Sequence, residues 1–114
     1  MKIGLDVMGG DFAPDAIVKG ACLAVEELPS EDELVLFGKQ DAIEKILQEQ
    51  GASKERFTIV DCSEVIDMHD QPIKAFAAKP NSSLAVGFSY LKKGQIDTFA
   101  SAGNSGAMLV GTMY

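Results

Sequence analysis

Apolar runs and amphipathic stretches alternate along this chain of 114 residues, and that alternation most limits what it can fold into. Four short runs are rich in β-branched and aromatic residues, which is typical of strands. The predicted strands are Lys2–Val7, Leu34–Phe37, Phe57–Val60 and Ile96–Ser101. Strands that alternate with helices favour parallel pairing through right-handed crossovers, so the sequence predicts an α/β fold with a mainly parallel sheet.

Helical periodicity and stop signals place four helices between these strands. The predicted helices cover Ala13–Leu28, Asp41 to Gly51, Pro72 to the residue before Pro80, and the stretch from Asn81–Ser83 to Gly94. In the first helix, Ile17, Ala21, Ala24, Val25 and Leu28 share one stripe, which we expect to face the core. We find no internal repeat and no linker, so the chain reads as part of one domain.

A glycine turn follows the first strand, in the segment "LDVMGGDFAP". Gly9 and Gly10 tolerate positive φ and let a ligand approach the backbone, and Pro14 suits the first turn of a helix. A strand, glycine turn and helix in this order point unpaired N–H groups and the positive end of the helix dipole at one place. This arrangement favours phosphate or carboxylate binding, although a tight turn without a ligand has the same pattern.

A second glycine turn, "SAGNSGAML", follows the fourth strand. Gly103 and Gly106 free the backbone, while Ser101, Asn104 and Ser105 offer side-chain hydrogen bonds that match phosphate or an acyl-phosphate oxyanion. Parallel strands end at one edge of the sheet, where α/β folds bind ligands, so two such turns favour a functional site. Neither turn is GxGxxG or GxxxxGK[ST], which disfavours dinucleotide binding and a P-loop.

Composition excludes several classes of protein. A formal net charge of −7 argues against a nucleic-acid-binding surface. Two cysteines without a CxxC spacing and a single histidine predict reduced cytoplasmic thiols and no metal site. No apolar run approaches the length needed to span a membrane.

Three separated blocks of sequence resemble one known family in the right order. They are "MKIGLDVMGGDFAP", "VIDMHDQPIKAFAAKPNSS" and "SAGNSGAM", and the middle block matches at Met68, Asp70, Pro72, Ala75, Lys79, Ser82 and Ser83. Together they resemble the amino-terminal part of the PlsX family, the phosphate acyltransferases of bacterial phospholipid synthesis. Members of that family are several-fold longer than this chain, so the resemblance implies that residues 1–114 are the amino-terminal portion of a single larger α/β domain.

The resemblance implies an activity and a fold. The family moves a fatty acyl chain from acyl carrier protein to inorganic phosphate and requires no cofactor or metal. Its fold is a three-layer α/β/α Rossmann-like sheet related to phosphotransacetylases and to isocitrate and isopropylmalate dehydrogenases. It also implies a cytoplasmic homodimer, with peripheral association at the inner face of the membrane.

The resemblance and the two turns together nominate site residues. We expect Ser101, Gly103, Asn104, Ser105 and Gly106 to bind phosphate and the acyl-phosphate oxygens, with Gly9, Gly10 and Asp11 shaping the adjoining wall. Asp11 repels phosphate as a carboxylate, so we expect it to cap the first helix or orient a donor. Asp6 and Lys79 are supporting candidates, and the sequence assigns no catalytic residue. His69 is expected to be a surface histidine.

Two alternatives remain open at this level. A receiver-like signalling domain also alternates strands and helices, and Asp61, after the third strand, would be its phosphorylated residue. The chain can also be a structural fragment that is inactive without its remainder. The end of the chain, "AMLVGTMY", is apolar on nearly every side, so we expect an isolated chain to associate or aggregate through residues 107–114.

Overall fold

The computed structural model describes residues 1–66, 70–103 and 111–112. The strands are β1 (Lys2–Asp6), β2 (Glu33–Gly38), β3 (Phe57–Asp61) and β4 (Thr98–Ala100). The helices are α1 (Asp15–Glu27), α2 (Gln40–Glu49), α3 (Pro72–Ala78) and α4 (Ser83–Lys92), with a 3₁₀ turn at Lys54–Arg56. The predicted elements are therefore confirmed to within a few residues at their ends, and only the 3₁₀ turn lacked a sequence signal.

All four strands are parallel and lie in the order β3-β2-β1-β4. The chain thus builds outward from β1 through β2 to β3, and then crosses back to place β4 on the other side of β1. This order matches the first four strands of the doubly wound Rossmann sheet.

The strand order also contradicts the receiver-like alternative. Receiver domains have the flavodoxin-like order 2-1-3-4-5, in which the third strand lies beside the first. Here β3 pairs with β2 at the edge of the sheet, and β1 pairs with β2 and β4. Asp61 ends that edge strand, where its Oδ1 accepts a hydrogen bond from the Gln40 backbone N–H at 3.0 Å, a contact at the start of α2. The phosphorylated-aspartate interpretation is therefore wrong.

Side chains alternate across β2 and define the two outer layers. Leu34 and Leu36 pack in the core with α1 and α2, whereas Val35 and Phe37 face the layer that contains α4. Phe37 meets the rings of Tyr90 and Phe99 edge-on, with ring centroids 5.1 and 5.6 Å apart. A strand buried on both faces has a continuous apolar run, as "LVLF" does. The three-layer architecture is confirmed.

The core-facing stripe of α1 is largely the expected one and differs from it at Val18 and Ala24. Val18, Ala21 and Val25 are its buried residues, while Ala24 is exposed. Ile17 and Leu28 are partly buried and pack against the core as expected, and Val18 is a core residue that the predicted stripe did not include. Within the described residues, no helix is long and apolar enough to cross a bilayer.

Candidate functional site

The two glycine turns meet where the direction of winding reverses. β1 and β4 are neighbours, but the chain leaves β1 towards α1 on one face of the sheet and reaches β4 from α4 on the other. Such a switch point leaves a crevice beyond the carboxyl ends of the two strands, where open α/β sheets bind their ligands. The predicted placement of both turns at one edge is confirmed by their contacts.

Asp6 lies at the centre of these contacts. It is the last residue of β1, and only 1% of its surface is exposed. Its Oδ1 accepts hydrogen bonds from the Met8 backbone N–H at 2.9 Å and from the Ser83 hydroxyl at 2.6 Å. Its Oδ2 accepts one from the Ser101 hydroxyl at 2.7 Å. A buried carboxylate needs such partners, and these three donors come from the turn after β1, the start of α4 and the end of β4.

Ser101 links Asp6 to the second glycine turn. Its hydroxyl donates to Asp6 and accepts a hydrogen bond from the Gly103 backbone N–H at 3.0 Å. Because the hydroxyl has one proton, it has none left to donate to an anion. Ser101 and the Gly103 N–H thus hold the turn, and the expected binding of phosphate by these two residues stays a prediction.

Gly9 closes the first turn over the second at very short range. A Cβ atom added to Gly9 would lie 2.7 Å from the Gly103 nitrogen and 2.8 Å from both Asp6 Oδ2 and Ser101 Oγ. These separations leave no room for a side chain, so glycine is required there by packing. Gly10 follows with φ of +95°, a backbone conformation that glycine adopts readily. Packing therefore requires the glycine at position 9, and backbone conformation favours the glycine at position 10.

Several predicted site residues lie outside the described residues. They are Asn104, Ser105 and Gly106, which were expected to donate to phosphate, together with Met68, His69 and most of the apolar end, 107–110 and 113–114. The described residues before this segment fix where it starts. It leaves from Gly103, directly beside Gly9.

Asp11 is exposed, and the expectation that it caps α1 is wrong. That helix begins at Asp15, with Pro14 in the N-cap position and no side-chain hydrogen bond to its first turn. Three further residues of turn separate Asp11 from the helix, so its side chain cannot take the N-cap position. Its alternative role, orienting a donor, stays a prediction.

Lys79 lies at the end of α3 and joins two parts of the middle sequence block. Its ammonium group donates to the Val65 carbonyl oxygen at 2.8 Å and forms an ion pair with Asp70 at 2.8 Å. These two contacts join Lys79 to both ends of the segment from residue 65 to residue 70. A contact between Lys79 and an anion remains a prediction, and such a contact would have to share the ammonium with these two oxygens.

Ser83 is the partner of Asp6 that sequence reasoning did not single out. It was interpreted with Asn81 and Ser82 as part of a helix cap, and Ser82 does cap α4 by accepting from the Ala85 N–H at 3.2 Å. Ser83, 2% exposed, points its hydroxyl at Asp6 instead. The sequence did offer a signal, because Ser83 belongs to the middle block. One serine is enough to cap the helix, and this block has two.

The negative charge of Asp6 is also felt by a neighbouring thiol. Burial raises the pKa of Cys62 to about 12, and the carboxylates of Asp6 and Asp61 add to the rise. The Cys62 thiol therefore stays protonated at neutral pH, and it is not an activated nucleophile. No group of side chains among the described residues could hold a metal ion.

The two glycine turns thus lie against each other over the buried carboxylate of Asp6. The profile of a family described as "Fatty acid synthesis protein" matches residues 1–114, the whole of the chain. The chain belongs to this family. Its curated relatives in the fatty acid synthesis protein family are named phosphate acyltransferases.

Three relatives illustrate the extent of the match. The phosphate acyltransferase of Caldicellulosiruptor bescii is 43% identical over 111 residues, which is 97% of this chain and 33% of the relative. That of Dictyoglomus thermophilum is 44% identical over 109 residues, 96% of this chain and 32% of the relative. That of Lysinibacillus sphaericus is 40% identical over 114 residues, 100% of this chain and 33% of the relative. The chain spans about a third of the length of these curated relatives.

Proposed function

We propose that this chain forms the amino-terminal third of a phosphate acyltransferase, which transfers a fatty acyl group from acyl carrier protein to inorganic phosphate. The observation that carries the proposal is the family match over the whole chain, together with two glycine turns that meet at the switch point of the sheet. We further propose, from the family resemblance, a cytoplasmic homodimer that associates peripherally with the inner face of the membrane.

The reaction sets two requirements for the site. A phosphate oxygen attacks the thioester carbonyl carbon, and the carbonyl oxygen becomes an oxyanion. Collapse of that intermediate forms the acyl-phosphate and breaks the C–S bond, and the thiolate of the carrier takes up a proton. The site must hold the anionic nucleophile in line with the carbonyl and place donors around the developing oxyanion.

The two glycine turns are suited to both tasks. Gly9 lets the two turns meet and Gly10 takes a positive φ beside Ala102, and we propose that phosphate binds at the rim of this junction. We assign the donors to the segment that starts at Gly103, in which Asn104, Ser105 and Gly106 contribute N–H groups and polar side chains. Asp11 is exposed, and we propose that it orients a donor.

The first test is an assay of acyl-phosphate formation by the full-length protein, meaning these 114 residues together with the downstream two thirds that the relatives carry. Acyl carrier protein loaded with a fatty acyl chain is the substrate, and hydroxylamine traps the acyl-phosphate as a hydroxamate. We expect product only when phosphate is present. Phosphate-independent release of the acyl chain, or no release, would contradict the proposed function.

Gly103→Val tests the site itself within this assay. A branched side chain would restrict the turn and crowd Gly9, so we expect acyl-phosphate formation to fall by about tenfold or more. Gly94→Val provides a control with the same change, because nothing lies within 4 Å of a Cβ at Gly94, in the loop at the far end of α4. Because Gly94 has a positive φ of +72°, valine strains the backbone there, so this variant controls for backbone strain without crowding of the site.

A further inference from the structure

We propose that Asp6 is a positioning residue that sets the orientation of the phosphate-binding turn through Ser101 and Gly103. This inference rests on the proposed function and concerns the same site. Asp6 is the only buried acid among the described residues, and it lies behind the turn rather than at its surface. A carboxylate behind an anion site weakens anion binding electrostatically, so its presence there calls for a compensating role.

The hydrogen bonds define that role. Met8 N–H and Ser83 O–H fix one carboxylate oxygen, which leaves the other oxygen to receive the Ser101 hydroxyl. With its proton directed at Asp6, Ser101 presents a lone pair to the Gly103 N–H. That contact fixes the Gly103 peptide plane beside Gly9. Asp6 therefore acts on the Gly103 peptide of the second turn through Ser101.

The network needs a carboxylate and not merely a polar group of the same shape. Three hydrogen bonds from the described residues reach Asp6, and they meet both of its oxygens. Asparagine has one acceptor end, so in either orientation its NH₂ group would face a donor. The substitution leaves a buried donor unpaired and releases Ser101 to turn its proton elsewhere.

The inference is tested by the kinetics of the full-length protein at varied phosphate and saturating acyl carrier protein. We expect Asp6→Asn and Ser83→Ala each to raise the KM for phosphate by about tenfold, with the KM for the acyl carrier protein unchanged. Ser101→Ala should have the same effect and Ser101→Thr, which keeps the hydroxyl, should restore most of the phosphate affinity. The effects of Ser83→Ala and Ser101→Ala should be less than additive, since both act through one carboxylate.

Ser82→Ala is the matched control for a merely structural effect. It removes the cap of the same helix, next to Ser83 and equally buried, without touching Asp6. We expect it to lower the unfolding temperature as Ser83→Ala does and to leave the KM for phosphate unchanged. Equal KM shifts in the Ser82 and Ser83 variants would overturn the inference.

The sign of the Asp6→Asn effect separates positioning from charge. If Asp6 acted only through its negative charge, its removal would strengthen phosphate binding and lower the KM. A lowered or unchanged KM in Asp6→Asn therefore overturns the inference while the wild-type enzyme remains active. A wild-type enzyme that forms no acyl-phosphate would instead overturn the proposed function, on which the inference depends.

Discussion

The two cysteines of this chain lie in very different surroundings. Cys62 is buried just after β3, and its pKa of about 12 follows from that burial and from two nearby carboxylates. Cys22 is only partly buried on α1, although burial and Glu26 raise its pKa as well. Because the thiolate is the reactive form, the two should differ sharply in reactivity.

We expect iodoacetamide at pH 8 to alkylate Cys22 at least about 100 times faster than Cys62 in the full-length protein. A pKa of about 12 in place of the ordinary 9.0 lowers the thiolate fraction by roughly a thousandfold, and burial slows access further. Mass spectrometry of the two peptides measures both rates in one sample. In denaturant the rates should converge, and equal rates in the native protein would contradict the burial of Cys62.

Gly9 provides a second prediction at the scale of single residues. In Gly9→Ala the new methyl group would press on Gly103 and on the Asp6–Ser101 hydrogen bond, so the two turns must move apart. We expect acyl-phosphate formation to fall by about tenfold or more. Gly20→Ala is the control, since nothing lies within 4 Å of a Cβ at that position. Full activity in Gly9→Ala would show that the contact between the turns is dispensable.

Single residues also show what the sequence could and could not predict. The doublet Gly9–Gly10 was predicted to form a turn because two adjacent glycines directly after a strand are a strong local turn signal. Ser83 was interpreted as part of a cap because serine is common at helix starts. Its partner, Asp6, is 77 residues away, and a hydrogen bond over that separation leaves no local pattern. The hydrogen bond between Ser101 and Asp6 was missed for the same reason, since the two residues are 95 positions apart.

The helices show the same contrast between local signals and tertiary contacts. α2 and α4 were located by periodicity and stop signals, which depend only on neighbouring residues. The exact rotation of α1 depends on the layer beneath it, so its predicted stripe omitted the buried Val18 and included the exposed Ala24. Glycines within helices are the clearest case, because sequence alone does not tell an open position from a packed one.

Gly87 and Gly20 are expected to respond to alanine in opposite directions. A Cβ at Gly87 would overlap the ring of Phe99, so Gly87→Ala must push α4 away from β4 and should destabilise the protein by about 1–3 kcal/mol. At Gly20, on the open side of α1, alanine should stabilise it by up to about 1 kcal/mol, because alanine favours the helix. Thermal unfolding of the full-length protein measures both. If both variants changed the stability of the protein in the same direction, the result would contradict the packing of α4 on β4.

At the scale of the whole molecule, strand order carried the functional argument. The sequence predicts which elements exist and that they are parallel, but two sheet orders fit the same alternation of strands and helices. Only the observed order places the turns after β1 and β4 side by side and removes Asp61 from the centre. The family resemblance reached the same fold from the sequence, because it compared whole blocks instead of single elements.

The α1 side of the sheet carries an apolar groove that the described residues leave open. Its volume is about 350 Å³, and it is lined by Ile3, Leu5, Ala16, Ile17, Gly20, Ala21, Ala24 and Leu34. Gly111 packs against Phe88 on the opposite face, so this described residue after β4 lies on the α4 side. β4 also has one unpaired edge among the described strands, which in the Rossmann order receives a further strand.

We therefore expect the 114-residue chain by itself to self-associate at micromolar concentration, as its apolar end also predicts, and to lack acyltransferase activity. A large apolar side chain left unburied forfeits roughly 1.5–3 kcal/mol, a sizeable part of the total stability of about 5–15 kcal/mol of a small domain. Ile17→Lys places a charge in the groove and should shift the chain towards monomer in sedimentation velocity. Leu23→Lys, an identical change in charge on an exposed position of α1 outside the groove, should not. A stable wild-type monomer, or an equal response to both variants, would show that the open groove does not drive association.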